Sequence, residues 1–157
     1  MTPTFAFTLA GASALIFLAR LVMPRLPLAK HAVRLSVVDT VLLVGGVGGL
    51  AFHCAAMFYR PIFDGTPFGP LVDMVNDMNV ASIILYVVPA VLVLIGVRRQ
   101  HWVSLAVLAL ALLFVGVTMY AGSPLNVHLG AIFVAVVALV SQIALLAIAP
   151  WRRAARP

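Results

Sequence analysis

Two apolar runs joined by a short turn make up residues 102–149, WVSLAVLALALLFVGVTMYAGSPLNVHLGAIFVAVVALVSQIALLAIA. Each run is long enough to cross the hydrocarbon core of a bilayer, about 30 Å thick, as an α-helix. The turn Gly122-Ser123-Pro124 reverses the chain, so the two helices are predicted to be antiparallel neighbours. This hairpin predicts an integral membrane protein.

The rest of the chain also consists mainly of long apolar runs joined by short connections. The sequence is 64% hydrophobic and 9% charged, whereas about a quarter of the residues of a soluble domain are charged. We therefore predict an all-α integral membrane protein, a compact bundle of five transmembrane helices that forms a single domain over residues 1–157. The predicted spans are about 5–23, 36–59, 79–97, 102–120 and 126–149.

The positive charges predict the orientation of these spans. Nine of the ten Lys and Arg side chains fall on one side when the runs are threaded through a membrane, and Arg60 falls on the other. Because Lys and Arg favour cytoplasmic loops, the N-terminus is predicted outside and the C-terminus in the cytoplasm. We expect a multi-pass protein of the cell membrane, specifically a bacterial inner membrane. The Lys and Arg side chains that give the net charge of +6 are then expected to contact the lipid bilayer through its anionic headgroups. No nucleic-acid partner is expected.

A polar stripe on the second span predicts which face points into the bundle. At 100° per residue its members lie within about 40° of one line, and polar residues in a span usually face other helices. Glycines Gly45 and Gly49 add a GxxxG spacing suited to close helix packing. Asp39 is predicted to form a structural ion pair with Arg34, with Arg20 and Arg99 as alternative partners; a proton-carrying role is the rival interpretation. The stripe comprises Asp39, Gly46, Gly49, His53, Met57 and Arg60.

Topology also brings distant residues together near the outer surface. His53 and His128 are expected at a similar depth, which makes both candidate cofactor-binding residues. Imidazole, thiolate and thioether groups suit Cu(I), and paired imidazoles can hold a haem such as haem b. Structural histidines, or a site for a quinone or lipid headgroup, are the alternatives. The candidate metal ligands are His53, His128, Met57, Cys54 and Met119.

The residues that most enzymes need are missing from this sequence. It contains no glutamate, no close pair of aspartates within a span, no GxSxG elbow and no phosphate-binding loop, which argues against enzyme activity. The leading hypothesis is a non-catalytic subunit or partner of a larger membrane complex, because the glycines of the second span suit close packing. The alternatives are a redox or metal-handling protein that binds haem or copper, and a small transporter or lipid-handling module.

Overall fold

The computed structural model describes residues 3–22 and 35–147, and this part of the chain is all-helical, without strands. Four α-helices, α1, α2, α5 and α6, are long and apolar enough to cross a membrane. Helices α3 and α4 are bent by 103° against each other and together could supply a fifth, broken span. The α-helices are α1 Pro3–Val22, α2 Val37–Phe58, α3 Gly69–Asn76, α4 Val80–Gly96, α5 Trp102–Tyr120 and α6 Leu125–Ala147.

The connection between the second and third predicted spans is itself helical. A 3₁₀ helix, Arg60–Phe63, follows α2, and α3 comes next. Val72 and Val75 of α3 are buried against Ala56 of α2. Helix α3 therefore packs back onto the bundle.

The helix ends follow from local sequence. Ser36 and Asp39 form a capping box at the start of α2, in which the Ser36 hydroxyl accepts from the Asp39 amide at 3.1 Å. After α5, Gly122 adopts a left-handed φ of 66°, and the Ser123 amide donates to the Thr118 carbonyl at 3.3 Å. This is the Schellman pattern, and it turns the chain directly into α6.

Helices α2 and α4 approach each other closely through glycine. A Cβ atom on Gly46 would lie 2.7 Å from the Pro89 carbonyl oxygen and from Val93, and one on Gly49 would lie 2.6 Å from the Pro89 ring. Of the predicted GxxxG pair, Gly49 takes part in this contact and Gly45 does not: a Cβ on Gly45 would meet nothing within 4 Å. Gly45 lies about 100° around the helix from Gly46 and so points away from α4.

The long helices contact one another in the order α2, α4, α5, α6, α1. In the described residues α1 packs on α6, at the opposite edge of the bundle from α2. The main core consists of buried residues from α2, α4, α5 and α6, among them Leu43, Val93, Leu108 and Ile132. Side chains of α2 reach α5 and α6 across this core.

Asp39 is fully buried, at 0% exposure, where α2 begins and α4 ends. Its carboxylate lies 3.1 Å from the Arg98 guanidinium and 3.5 Å from that of Arg99. The Ser36 hydroxyl also donates to it at 2.7 Å. The predicted partner Arg34 lies outside the described residues, so that pair stays a prediction. Of the alternative partners, Arg99 is in contact.

Candidate metal-binding site at one end of the bundle

The two histidines of the spans lie near the same end of the bundle. His53 comes five residues before the end of α2, and His128 lies in the first turn of α6. Helix α5 ends at this level too, with Met119 as its penultimate residue. Antiparallel packing of α5 and α6 and the approach of α2 place these three side chains in one region of the core.

His53 has an unusual environment for a buried imidazole. The residue is 3% exposed, and its Nε2 lies 3.4 Å from the Met119 sulfur. Its Nδ1 has no hydrogen-bond partner among the described residues. Thioether sulfur is only a weak acceptor, and a buried polar group left without a partner costs about 1–3 kcal/mol. Ordinary hydrogen bonding therefore gives little reason for a histidine at this position.

His128 is buried as well, but its ring is better supported. Its Nδ1 lies 3.0 Å from the Thr118 hydroxyl. The Phe58 ring lies 6.2 Å from the His128 ring between centroids, at an interplanar angle of 30°. His53 and His128 are also near enough to interact electrostatically.

Helix α5 contacts both histidines from consecutive positions. Thr118 contacts His128, and Met119 contacts His53. Both α5 residues are buried. The end of α5 therefore connects the two imidazoles of the candidate site.

The other predicted metal ligands are less directly placed. Met57 is half-buried and packs against the main core and also against the cluster of Ala56, Val72 and Val75. Cys54 is a half-buried free thiol, and it lies about 100° around α2 from His53. Met74 and Met78, in the connection between α2 and α4, are 43% and 41% exposed. The ligand assignments of His53, His128, Met57, Cys54 and Met119 stay predictions.

The His53–Met119 contact offers nitrogen and thioether sulfur as donors. Within residues 3–22 and 35–147, no three His, Cys, Asp or Glu side chains form a group that could hold a metal ion. The two side chains that lie close enough to share a metal ion are the imidazole of His53 and the thioether of Met119. Such a set suits a soft ion better than the carboxylate-preferring hard cations.

Polar residues of α4 support the same end of the bundle. The Tyr86 hydroxyl donates to the Leu112 carbonyl at 2.6 Å. The Tyr86 and His53 rings pack in a T-shaped arrangement, with centroids 5.6 Å apart. Ser82 donates to the Val75 carbonyl and lies 3.1 Å from the Tyr120 hydroxyl. These bonds fix α4 against α5 beside the histidines.

An apolar groove of about 410 Å³ lies between α4 and α5. Tyr86, Leu112, Gly116 and Tyr120 are among its lining residues. Its surface suits a hydrocarbon chain, because almost all of the lining is apolar.

Thr118 is the residue of this region that sequence patterns did not single out. A usable signal exists, since Thr118 and His128 are each five positions from Ser123 at the centre of the turn. Residues equidistant from the turn of a helical hairpin lie at a similar level. The hydroxyl–imidazole contact itself needs the rotation of both helices, which spacing does not supply.

Comparison of the chain with protein-family models, with characterised proteins and with solved structures finds no match. A function for this protein therefore rests on the contacts of its own residues.

Proposed function

We propose that this protein binds a soft metal ion, Cu(I), inside the membrane bundle, with His53 and Met119 as ligands. The contact between His53 Nε2 and the Met119 sulfur, at 3.4 Å, carries the proposal. Copper binding implies a role in copper handling, such as acquisition, transfer or delivery at the membrane. Met57 and His128 are the candidates for further ligands.

The separation of the two donor atoms fits a shared ion. An ion bonded to an imidazole nitrogen at about 2.0 Å and to sulfur at about 2.3 Å holds the two donors roughly 3.5 Å apart at a tetrahedral angle. The observed separation is 3.4 Å. Binding would thus need little rearrangement of α2 against α5.

The ligand types favour Cu(I) among the metals. Thioether ligands select soft ions, whereas carboxylate and carbonyl oxygens suit magnesium, calcium and manganese. Burial of the site in an apolar bundle also favours an ion of low charge, because transfer of charge out of water is costly. Cu(I) satisfies both requirements.

Haem is less favoured by the same geometry. The Tyr86 ring packs against His53, and the Phe58 ring lies beside His128. A haem held between the two imidazoles would require these packed rings to move. A single ion between His53 and Met119 is far smaller than a haem and would displace less of this packing.

Anaerobic titration of the detergent-purified protein against a chromogenic Cu(I) chelator tests the proposal. We expect one ion per chain, with loss of binding in His53→Ala and at least tenfold weaker binding in Met119→Leu. The leucine variant nearly conserves volume and should stay folded. Met74→Leu is the matched control, because Met74 is exposed in α3. It should bind copper as the wild type does.

X-ray absorption at the copper edge distinguishes the ligands. The spectrum should contain nitrogen and sulfur scatterers at about 2.0 and 2.3 Å, and Met119→Leu should reduce the sulfur contribution. Copper that stays entirely with the chelator in the presence of wild-type protein would reject the proposal. The 3.4 Å contact would then be an N–H···S hydrogen bond of structural value.

We also propose five membrane crossings, with the N-terminus outside and the candidate site near the outer surface. The support is the charge distribution: Arg98 and Arg99 follow α4 at one end of the bundle, whereas Asp64, Asp73 and Asp77 lie at the other. Copper would then enter from the extracytoplasmic side.

A second candidate function is membership of a larger membrane complex through the outer face of α2. Gly45 and Gly48 lie on this face, where an added Cβ would meet nothing within 4 Å. Small residues let another helix backbone approach closely, so a further membrane helix is the proposed occupant.

Native mass spectrometry of the solubilised protein tests this assembly. Gly48→Leu should abolish a complex that the wild type forms, while Gly130→Leu, at an equally open position of α6, should keep it. A wild-type chain that is always found alone would contradict the proposal.

A third candidate, lipid handling, is supported by the groove between α4 and α5. Lipid analysis of the purified protein should reveal a retained chain that Ala109→Trp displaces from the groove lining. Ala106→Trp, outside the groove, is the control. Equal lipid content in all three proteins would contradict this role.

A further inference from the structure

The Thr118 hydroxyl makes two contacts that together determine where the proton of His128 lies. Its Oγ1 is 3.0 Å from the Val115 carbonyl oxygen and 3.0 Å from Nδ1 of His128. A hydroxyl group carries one proton and can accept as well as donate. A carbonyl oxygen can only accept, so the contact with Val115 requires the proton of Thr118.

The imidazole must then donate in the second contact. With the hydroxyl proton directed at Val115, the oxygen presents a lone pair to His128, and both contacts are hydrogen bonds only if Nδ1 carries a proton. In a neutral imidazole with a proton on Nδ1, Nε2 has the free lone pair. If both contacts are hydrogen bonds, they hold His128 in the tautomer whose Nε2 can bind a metal.

We infer that Thr118 is a positioning residue that presents Nε2 of His128 as a third donor to the ion bound by His53 and Met119. This inference rests on the proposed function. Metal-binding histidines almost always donate their other ring N–H to a neighbouring group, which fixes the tautomer and the ring orientation. Thr118 supplies that acceptor, and the next residue, Met119, contacts the first histidine.

The packing around His128 is consistent with a fixed ring. The residue is 6% exposed, and the Phe58 ring lies beside it. Thr118 is itself 3% exposed, so water has little access to replace its hydroxyl. Removal of this one oxygen should allow the proton of His128 to lie on either ring nitrogen, while all the proposed ligands stay in place.

Two substitutions at Thr118 separate the hydroxyl from the shape of the side chain. Thr118→Val keeps the shape and removes the hydroxyl, and Thr118→Ser keeps the hydroxyl. Nitrogen-15 NMR of histidine-labelled, metal-free protein reports the tautomer, with the His128 signals assigned by their absence in His128→Gln. We expect a proton on Nδ1 in the wild type and in Thr118→Ser, and a shift toward the Nε2-protonated form in Thr118→Val.

Copper affinity provides the second readout. Loss of an outer hydrogen bond to a metal ligand typically costs 10–100-fold in affinity, so Thr118→Val should weaken Cu(I) binding by about that factor. Thr118→Ser should restore affinity to within a few-fold of the wild type.

The outcomes distinguish this inference from the proposed function. A wild-type His128 with its proton on Nε2 would overturn the inference, and so would wild-type copper affinity in Thr118→Val; in both cases copper binding by His53 and Met119 could still be measured. If wild-type protein binds no copper, the proposed function and the positioning role fall together. The Nδ1 tautomer would then be a packing feature of the hairpin.

Discussion

Oδ1 of Asp39 lies 3.1 Å from the Arg98 guanidinium, and this contact joins the first turn of α2 to the end of α4. Oδ1 makes no hydrogen bond among the described residues, so the contact is one between charges without hydrogen-bond alignment. The other oxygen, Oδ2, accepts from Ser36 and lies near Arg99. One carboxylate thus caps a helix and forms ion pairs with two arginines.

Asp39→Asn should destabilise the protein. The substitution nearly conserves shape but leaves the Arg98 and Arg99 charges without their carboxylate, and it weakens the capping box. We expect a thermal midpoint in detergent several degrees below that of the wild type, measured by circular dichroism.

Asp73→Asn is the control for this experiment. Asp73 also forms an ion pair, with Arg60 at 2.7 Å, but both side chains are exposed. Exposed pairs contribute about 0–1 kcal/mol, so the midpoint should hardly change. Equal midpoints for the Asp39 and Asp73 variants would show that burial of Asp39 has no energetic consequence.

Gly46→Ala should destabilise the packing of α2 against α4. The new methyl group would lie 2.7 Å from backbone and side-chain atoms of α4, and overpacking of this kind typically costs about 1–3 kcal/mol. Unfolding in a detergent series measures the loss.

Gly45→Ala, at the adjacent residue, is the control for Gly46→Ala. Because the Gly45 position is open, alanine should leave stability unchanged or raise it by up to about 1 kcal/mol through its greater helix propensity. A larger loss at Gly45 than at Gly46 would mean that α2 is rotated relative to the described structure.

Tyr86→Phe should weaken the contact between α4 and α5. It removes the hydroxyl that donates to the Leu112 carbonyl at 2.6 Å, and a hydrogen bond contributes about 0.5–1.5 kcal/mol. Tyr59→Phe, at the end of α2, provides the comparison in the same unfolding assay. Identical losses from the two tyrosines would assign no special role to the buried hydroxyl.

Cysteine labelling should decide whether α3 and α4 form one crossing or a re-entrant segment. In a Cys54→Ala background, Asp64→Cys precedes α3 and Gln100→Cys follows α4. If the bent pair crosses the membrane, an impermeant thiol reagent will label residue 64 on intact cells and residue 100 only after permeabilisation. Labelling of both residues on intact cells would reduce the number of crossings to four.

The apolar runs alone were enough to predict an all-helical membrane bundle. Helices that face hydrocarbon need long stretches of uncharged residues, and such stretches can be recognised directly in the sequence as runs of consecutive apolar residues. The α5–α6 hairpin was predictable for the same reason, since Gly122 and Pro124 mark its turn. Helical periodicity also predicted the inward positions of Asp39 and His53, and both are buried.

Tertiary structure decided which atoms meet. Helical periodicity already places Gly46 and Gly49, and not Gly45, on the inward face of α2, but only the tertiary structure shows that this face meets Pro89 and Val93 of α4. The pairing of Asp39 with Arg98, of Met119 with His53 and of Thr118 with His128 depends on how two helices are rotated and packed against each other in each case. These contacts arise from side-chain packing between helices, whereas the long apolar helices are predictable from sequence because a bilayer accepts only apolar surface.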